Sequence, residues 1–179
     1  MKNLNIVLIL ITIFTGIASA QNDVYYTRDA TLKISGEFKG ERVSGMTPSL
    51  GVKLDYETTK ITIRFHLNTL EFNVDTLNTL VQSNLSEVVF DGALSLEYIN
   101  TEGHPPLDFM LEGIVTSTDL ETSIEGSGTL YHTDTSENFA CLLSIKMNPK
   151  LDDFNIDVPG LENEIELVIT QALLQKDKN

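Results

Sequence analysis

Cysteine is nearly missing from this chain. Cys141 is the only one in 179 residues, so no internal disulfide can form and packing alone must hold the fold. Its neighbours Phe139, Ala140, Leu142 and Leu143 suit a small buried hydrophobe, whereas a reactive thiol wants an electropositive, partly exposed setting. Basic residues are scarce too: 12 Lys and Arg stand against 26 Asp and Glu, a formal charge of −14. The arginines, Arg28, Arg42 and Arg64, are scattered. That spacing excludes the clustered cationic footprint phosphate backbones require, so nucleic acid is not an expected partner. Charge-driven docking to an anionic bilayer is disfavoured on the same ground. The acidic excess suits a soluble, self-repelling surface.

The residues that usually announce chemistry are also few or badly placed. His66, His104 and His132 are the three histidines, and no H-x-H or H-E-x-x-H pair brings two imidazoles onto one zinc. His66, in a strand, and His104, in a loop, each read as a solvated or hydrogen-bonded side chain, and no metal site is expected. There is no G-x-S-x-G elbow and no phosphate-cradling glycine loop. Carboxylates are too abundant for any pair to stand out as acid and base. Asp153, Asn155, Asp157 and Glu164 do fall at positions one, three, five and twelve of a calcium loop. Val158 at position six and Pro159 at position seven break that pattern, and a solvated acidic turn is the reading. The chain is therefore not expected to be an enzyme, to carry catalytic residues or to need a cofactor.

Long apolar runs are absent beyond the first twenty residues. Lys2, the apolar stretch 4–14 and the small-residue site Ala18-Ser19-Ala20 form a secretory signal, with cleavage expected before Gln21. A retained anchor needs about 18–20 apolar residues, and this core is shorter. The expected organisation is a signal peptide over 1–20 and one domain over 21–179, periplasmic or secreted, with no transmembrane anchor after cleavage.

What the domain has in plenty is alternation. Leu50, Val52, Leu54 and Tyr56, then Ile61, Ile63, Phe65 and Leu67, recur with a period of two on either side of a polar four-residue connection, the pattern of a β-hairpin. Before it, Tyr26, Ala30, Leu32 and Ile34 mark a strand, and Gly36, Gly40 and Gly45 suggest a twisted or bulged ribbon. After it, 68–85 changes rhythm: Val74, Leu77, Leu80, Val81 and Leu85 recur at spacings of three and four. That predicts a short helix lying across one end of the sheet, with Asn73 or Asp75 as its cap. From Val88 the alternation returns through Phe90, Leu94, Leu96 and Tyr98, and past the stop at Pro105-Pro106 through Phe109, Leu111 and Val115. It continues through Leu120, Ile124 and Leu130, then Phe139, Cys141, Leu143, Ile145 and Met147. In the last strand Ile165, Leu167 and Ile169 share one parity, while Val168, Ala172 and Leu174 take the other, which suggests that both its faces are covered. Strands joined in sequence by short turns predict an all-β fold, an antiparallel lipocalin-like β-barrel of about eight strands with one short helix.

Taken in order, the mature chain resembles the YceI-like family of extracytoplasmic lipid- or polyisoprenoid-binding proteins. The likeness rests on Tyr25-Tyr26-Thr27 through Ile34-Ser35 leading to the 54–65 hairpin, and on Phe109-Met110-Leu111-Glu112-Gly113. It is completed by Asp153-Phe154-Asn155-Ile156 followed by Glu164-Ile165-Glu166-Leu167-Val168-Ile169. The chain departs from the family pattern at Ser117-Thr118, where His-Gly is usual, at Asn155, where Gly follows Asp-Phe, and in lacking an R-D-x-H-L cluster. The resemblance implies an elongated barrel with an apolar lipid or isoprenoid-like partner in its lumen and no catalytic residues. Leu54, Ile63, Phe65, Leu94, Leu96, Tyr98, Phe109, Leu111, Phe139 and Leu143 are then the expected lining of that lumen. The alternative is a structural or protein-interaction domain whose same residues fill a dry core.

Overall fold

Alternation over most of the chain leaves one apolar face per strand, and eight strands hide those faces by closing on themselves. The computed structural model describes residues 23–101, 103–118, 120–133, 139–154 and 158–176. Its strands are β1 (Val24–Phe38), β2 (Glu41–Asp55), β3 (Lys60–His66), β4 (Glu71–Phe72), β5 (Glu87–Leu94), β6 (Leu107–Ser117), β7 (Leu120–His132), β8 (Phe139–Met147) and β9 (Glu166–Lys176), with one helix, α1 (Asp75–Gln82). Hydrogen bonding runs in the order β1-β9-β8-β7-β6-β5-β3-β2, and β1 also pairs with β2. This closes an eight-stranded antiparallel barrel, the expected architecture, and abolishes its free edges. The two-residue β4 is an outrigger on β2. The expected signal segment, 1–20, lies outside the described residues. Among the described residues no helix is long and apolar enough to cross a membrane.

The β2–β3 hairpin follows the predicted register, with Val52 opposite Ile63 and Leu54 opposite Ile61. Its connection is built by Asp55, whose Oδ1 accepts the Glu57 and Thr58 amide protons at 3.0 and 2.9 Å, an Asx turn. The β1–β2 hairpin turns through Lys39 and Gly40, both at positive φ (54° and 79°), the requirement of a two-residue primed turn.

Register shifts in β1–β2 and in β8–β9 overturn a simple period of two. In β1 the register steps from Thr27 opposite Val52 to Ala30 opposite Leu50, so one extra residue is inserted. Tyr25 and Thr27 are therefore buried before the step, and Ala30 and Leu32 after it. A reciprocal step follows in β2, from Leu50 opposite Ala30 to Thr47 opposite Leu32. In β9 the register runs from Ile169 opposite Ile145 to Ala172 opposite Leu143, with Gln171 at φ 57°. The bulge inverts parity. Ile169, Ala172 and Leu174 thus all point inward, which corrects the expectation that both faces of the last strand are covered.

Helix α1 sits where the pattern places it, but its stripe is only partly covered. Leu77 joins Phe38 and Val43 in a small satellite cluster with Phe72, Val74, Val158 and Leu161, while Leu80 is 51 % exposed, and Leu85, expected on the same stripe, lies beyond the end of the helix and is 75 % exposed. Neither expected cap acts: Val74 is the N-cap, with no side-chain cap bond. Asn73 instead accepts the Ser44 amide proton at 2.9 Å, and Asn78 clamps the Phe72 backbone, accepting its N–H and donating to its carbonyl. The helix is held to the strand region before it rather than capped from it.

Candidate functional site

Along its axis the barrel has two different halves. At the end where β1 begins, inward side chains meet and fill the interior. Leu54, Ile61, Leu94, Leu111, Leu130, Leu143 and Leu174 are all buried there. Tyr25 and Tyr56 stack at 4.1 Å between ring centroids, and the segment after β5 folds across this end, with the Ile99 N–H donating to the Tyr56 carbonyl at 2.8 Å. Buried Thr59 ties the hairpin loop to the same segment, its hydroxyl donating to the Leu96 carbonyl at 3.1 Å. Burial pushes the Tyr56 hydroxyl and the Cys141 thiol up from their ordinary pKa values, so both are protonated at neutral pH.

The glycines of β5 and β6 mark where the filled half stops. Gly92 and Gly113 face each other across the ladder, and Phe90 lies over the bare backbone they leave. A Cβ on Gly113 would sit 2.7 Å from Phe90 Cζ, and one on Gly92 would sit 2.6 Å from the same atom. Glycine here lets an aromatic ring lie flat against the wall.

Beyond that ring the interior opens into a cavity of about 470 Å³, within the size range of small-molecule sites, about 300–1,000 Å³. Its walls come from β1 (Leu32, Ile34), β3 (Ile63, Phe65), β5 (Val88, Phe90), β6 (Val115), β7 (Ile124), β8 (Met147) and β9 (Leu167, Ile169). The short turn Leu151–Phe154 adds Leu151 and Phe154. Polar groups gather on one side: Asn84, Ser86, Ser117 and Thr118. There the Ser86 and Thr118 hydroxyls are 2.8 Å apart, and the Ser117 hydroxyl donates to the Glu87 carbonyl at 3.0 Å. A second, wholly apolar cavity of about 180 Å³ lies under α1 and shares Ile34, Leu67, Leu151 and Ile165 with the first.

Of the ten residues expected to line the lumen, Ile63 and Phe65 are walls of the main cavity. Leu54, Leu94, Phe109, Leu111 and Leu143 belong to the packed core, and Leu96 is partly buried against it. Tyr98 is 65 % exposed: β5 ends at Leu94, and once the chain leaves the sheet, alternation no longer points a side chain inward. The Phe139 side chain lies outside the described residues, as do Asn155 and Asp157 of the calcium-like spacing; Asp153 and Glu164 are exposed. No other wall of the cavity was among the ten, neither Val88, Phe90, Val115 and Met147 nor the walls given by β1, β7 and β9 and by the turn after β8. Leu32, Ile34, Ile124, Leu167 and Ile169 all carry the alternation signal, but nothing in it ranks them by height along the axis.

Fold and cavity together define a class of molecule: a closed antiparallel barrel, packed at one end, with an apolar chamber at the other. Among solved structures the chain is similar to a polyisoprenoid-binding domain from Saccharophagus degradans implicated in plant cell wall breakdown. The TM-score is 0.59 over 88 % of this chain and 100 % of that one, at 7 % identity. At that identity the likeness is one of fold. No family model matches the chain, and no curated protein matches it in sequence.

Proposed function

We propose that this protein is an extracytoplasmic, periplasmic or secreted carrier that holds a long apolar lipid of polyisoprenoid type in the open half of its barrel, as a divergent YceI-like protein. The observation that carries the proposal is the one-ended apolar chamber beyond Phe90. A chain seated there is stabilised by removal of its apolar surface from water, about 25 cal/mol per Å², against the entropy of ordering it. The smaller cavity under α1 continues the apolar path. Ser86, Ser117 and Thr118 on one wall supply hydroxyls for a polar head group. The solved domain of like fold binds polyisoprenoid, which supports the ligand class. The protein acts by binding rather than by catalysis.

The packed half favours the second reading, a structural or interaction domain with no ligand. Mass spectrometry of organic extracts from natively purified protein separates the two. A stoichiometric long-chain lipid, or saturable uptake of a fluorescent isoprenoid, is the expected result. Repeated absence of both sinks the carrier.

A further inference from the structure

Two histidines far apart in sequence meet the single cysteine at the packed end of the barrel. His132 is the direct cross-strand partner of Cys141 in the β7–β8 ladder. The segment between β5 and β6 turns back through Gly103, at φ 129°, and lays His104 over the same spot. The His104 and His132 rings stand edge to face with centroids 5.5 Å apart, and His104 Nε2 is 3.3 Å from Cys141 Sγ. One ligating atom from each of the three residues falls within 4.8 Å of the others.

We infer that His104, His132 and Cys141 form a binding site for a late transition-metal ion of tetrahedral preference, zinc(II) being the representative. Metal–nitrogen bonds of about 2.0–2.1 Å and a metal–sulfur bond of about 2.3 Å put tetrahedral ligand atoms roughly 3.3–3.6 Å apart. The His104–Cys141 separation already matches, and the third ligand needs at most about 1.5 Å of closure.

Two further features fit a ligand set better than a chance cluster. His104 Nδ1 lies 2.7 Å from the Pro105 carbonyl, which can only accept. The proton therefore sits on Nδ1, and the Nε2 lone pair faces the sulfur, the second-shell arrangement that orients metal-bound imidazoles. Tyr56 Oη is buried beside the Cys141 thiol and has no hydrogen-bond partner of ordinary geometry. Its polar neighbour is the sulfur itself, so the hydroxyl marks a polar spot in this part of the packed core. Imidazole and thiolate together suit zinc and its neighbours, and do not suit magnesium or calcium. On binding, the thiol proton leaves to solvent and the metal–sulfur bond replaces the S–H···Nε2 contact. The segment between β5 and β6 is then tied to the β7–β8 hairpin. The site lies at the opposite end from the lipid chamber, and its test does not depend on that chamber being filled.

The test is a cobalt(II) titration of the purified, reduced, chelator-treated full chain, followed by displacement with zinc(II). The expected result is one equivalent of cobalt with tetrahedral visible bands and a thiolate-to-cobalt charge-transfer band, all abolished by one equivalent of zinc. Cys141→Ser should remove the charge-transfer band. His104→Ala and His132→Ala should each weaken zinc by more than the roughly 10- to 100-fold that loss of a mere supporting partner costs, while His66→Ala leaves affinity unchanged. His104 lies outside the strands, so its variant keeps the test decisive even where Cys141→Ser does not fold. No charge-transfer band in the unaltered protein, or a band that survives both histidine variants, overturns the site.

Discussion

The two halves of this barrel are built from the same eight strands and the same alternation, yet one is filled and the other hollow. In the packed half, large side chains from facing strands meet on the axis, and the segment containing Ile99 closes the end. In the open half the covering turn contributes only Leu151 and Phe154, and one wall is lined by Asn84, Ser86, Ser117 and Thr118. Alternation decides that a side chain faces inward. The sizes of the residues at one height, and what caps that height, decide whether the interior closes.

The largest expected effects come from substitutions that attack the packed half. Leu143→Ala should cost about 3–5 kcal/mol by urea denaturation, whereas Val88→Ala, facing space already empty, should cost less than about 1 kcal/mol. Equal costs would erase the distinction between the halves. Next is the boundary: Gly113→Val must displace Phe90 and the neighbouring backbone, and should cost about 1–3 kcal/mol, read as a lower Tm. Filling the chamber separates binding from stability. Ile124→Phe should reduce uptake of a fluorescent isoprenoid by about tenfold or more while changing stability by less than about 1.5 kcal/mol, and Leu143→Met should leave uptake intact. The smallest effect belongs to the pair that joins the start of β1 to the end of β9. Lys176 donates to Asp23 at 2.8 Å and stands partly exposed, so Lys176→Met should cost less than about 1 kcal/mol.

Strand order, the barrel and the presence of α1 were legible in the sequence, because each rests on periodicity and turn chemistry that operate locally. The bulges were not. Gln171 adopts a positive φ without a glycine to announce it, so the parity change in β9 looks like a strand covered on both faces. Tyr98 continues the Leu94–Leu96 rhythm after the strand that justified it has ended, and Ile99 takes the buried place instead. Of the candidate cavity only Ile63 and Phe65 were legible. Ile63 and Phe65 follow from alternation, but their separation from Leu54 and Leu143 is a matter of height that only the register supplies. The His104–His132–Cys141 cluster needed two pieces of information that sequence spacing withholds: the β7–β8 register and the return of the segment before β6.

The central claim is that an apolar ligand occupies one half of the barrel and is excluded from the other. A photoreactive isoprenoid, cross-linked to the protein and located by peptide mass spectrometry, tests it most directly. Adducts are expected on residues 63–67, 86–90, 115–118 and 120–124, with none on 54–61 or 141–145. Adducts on the packed segments, or spread without preference, would contradict it.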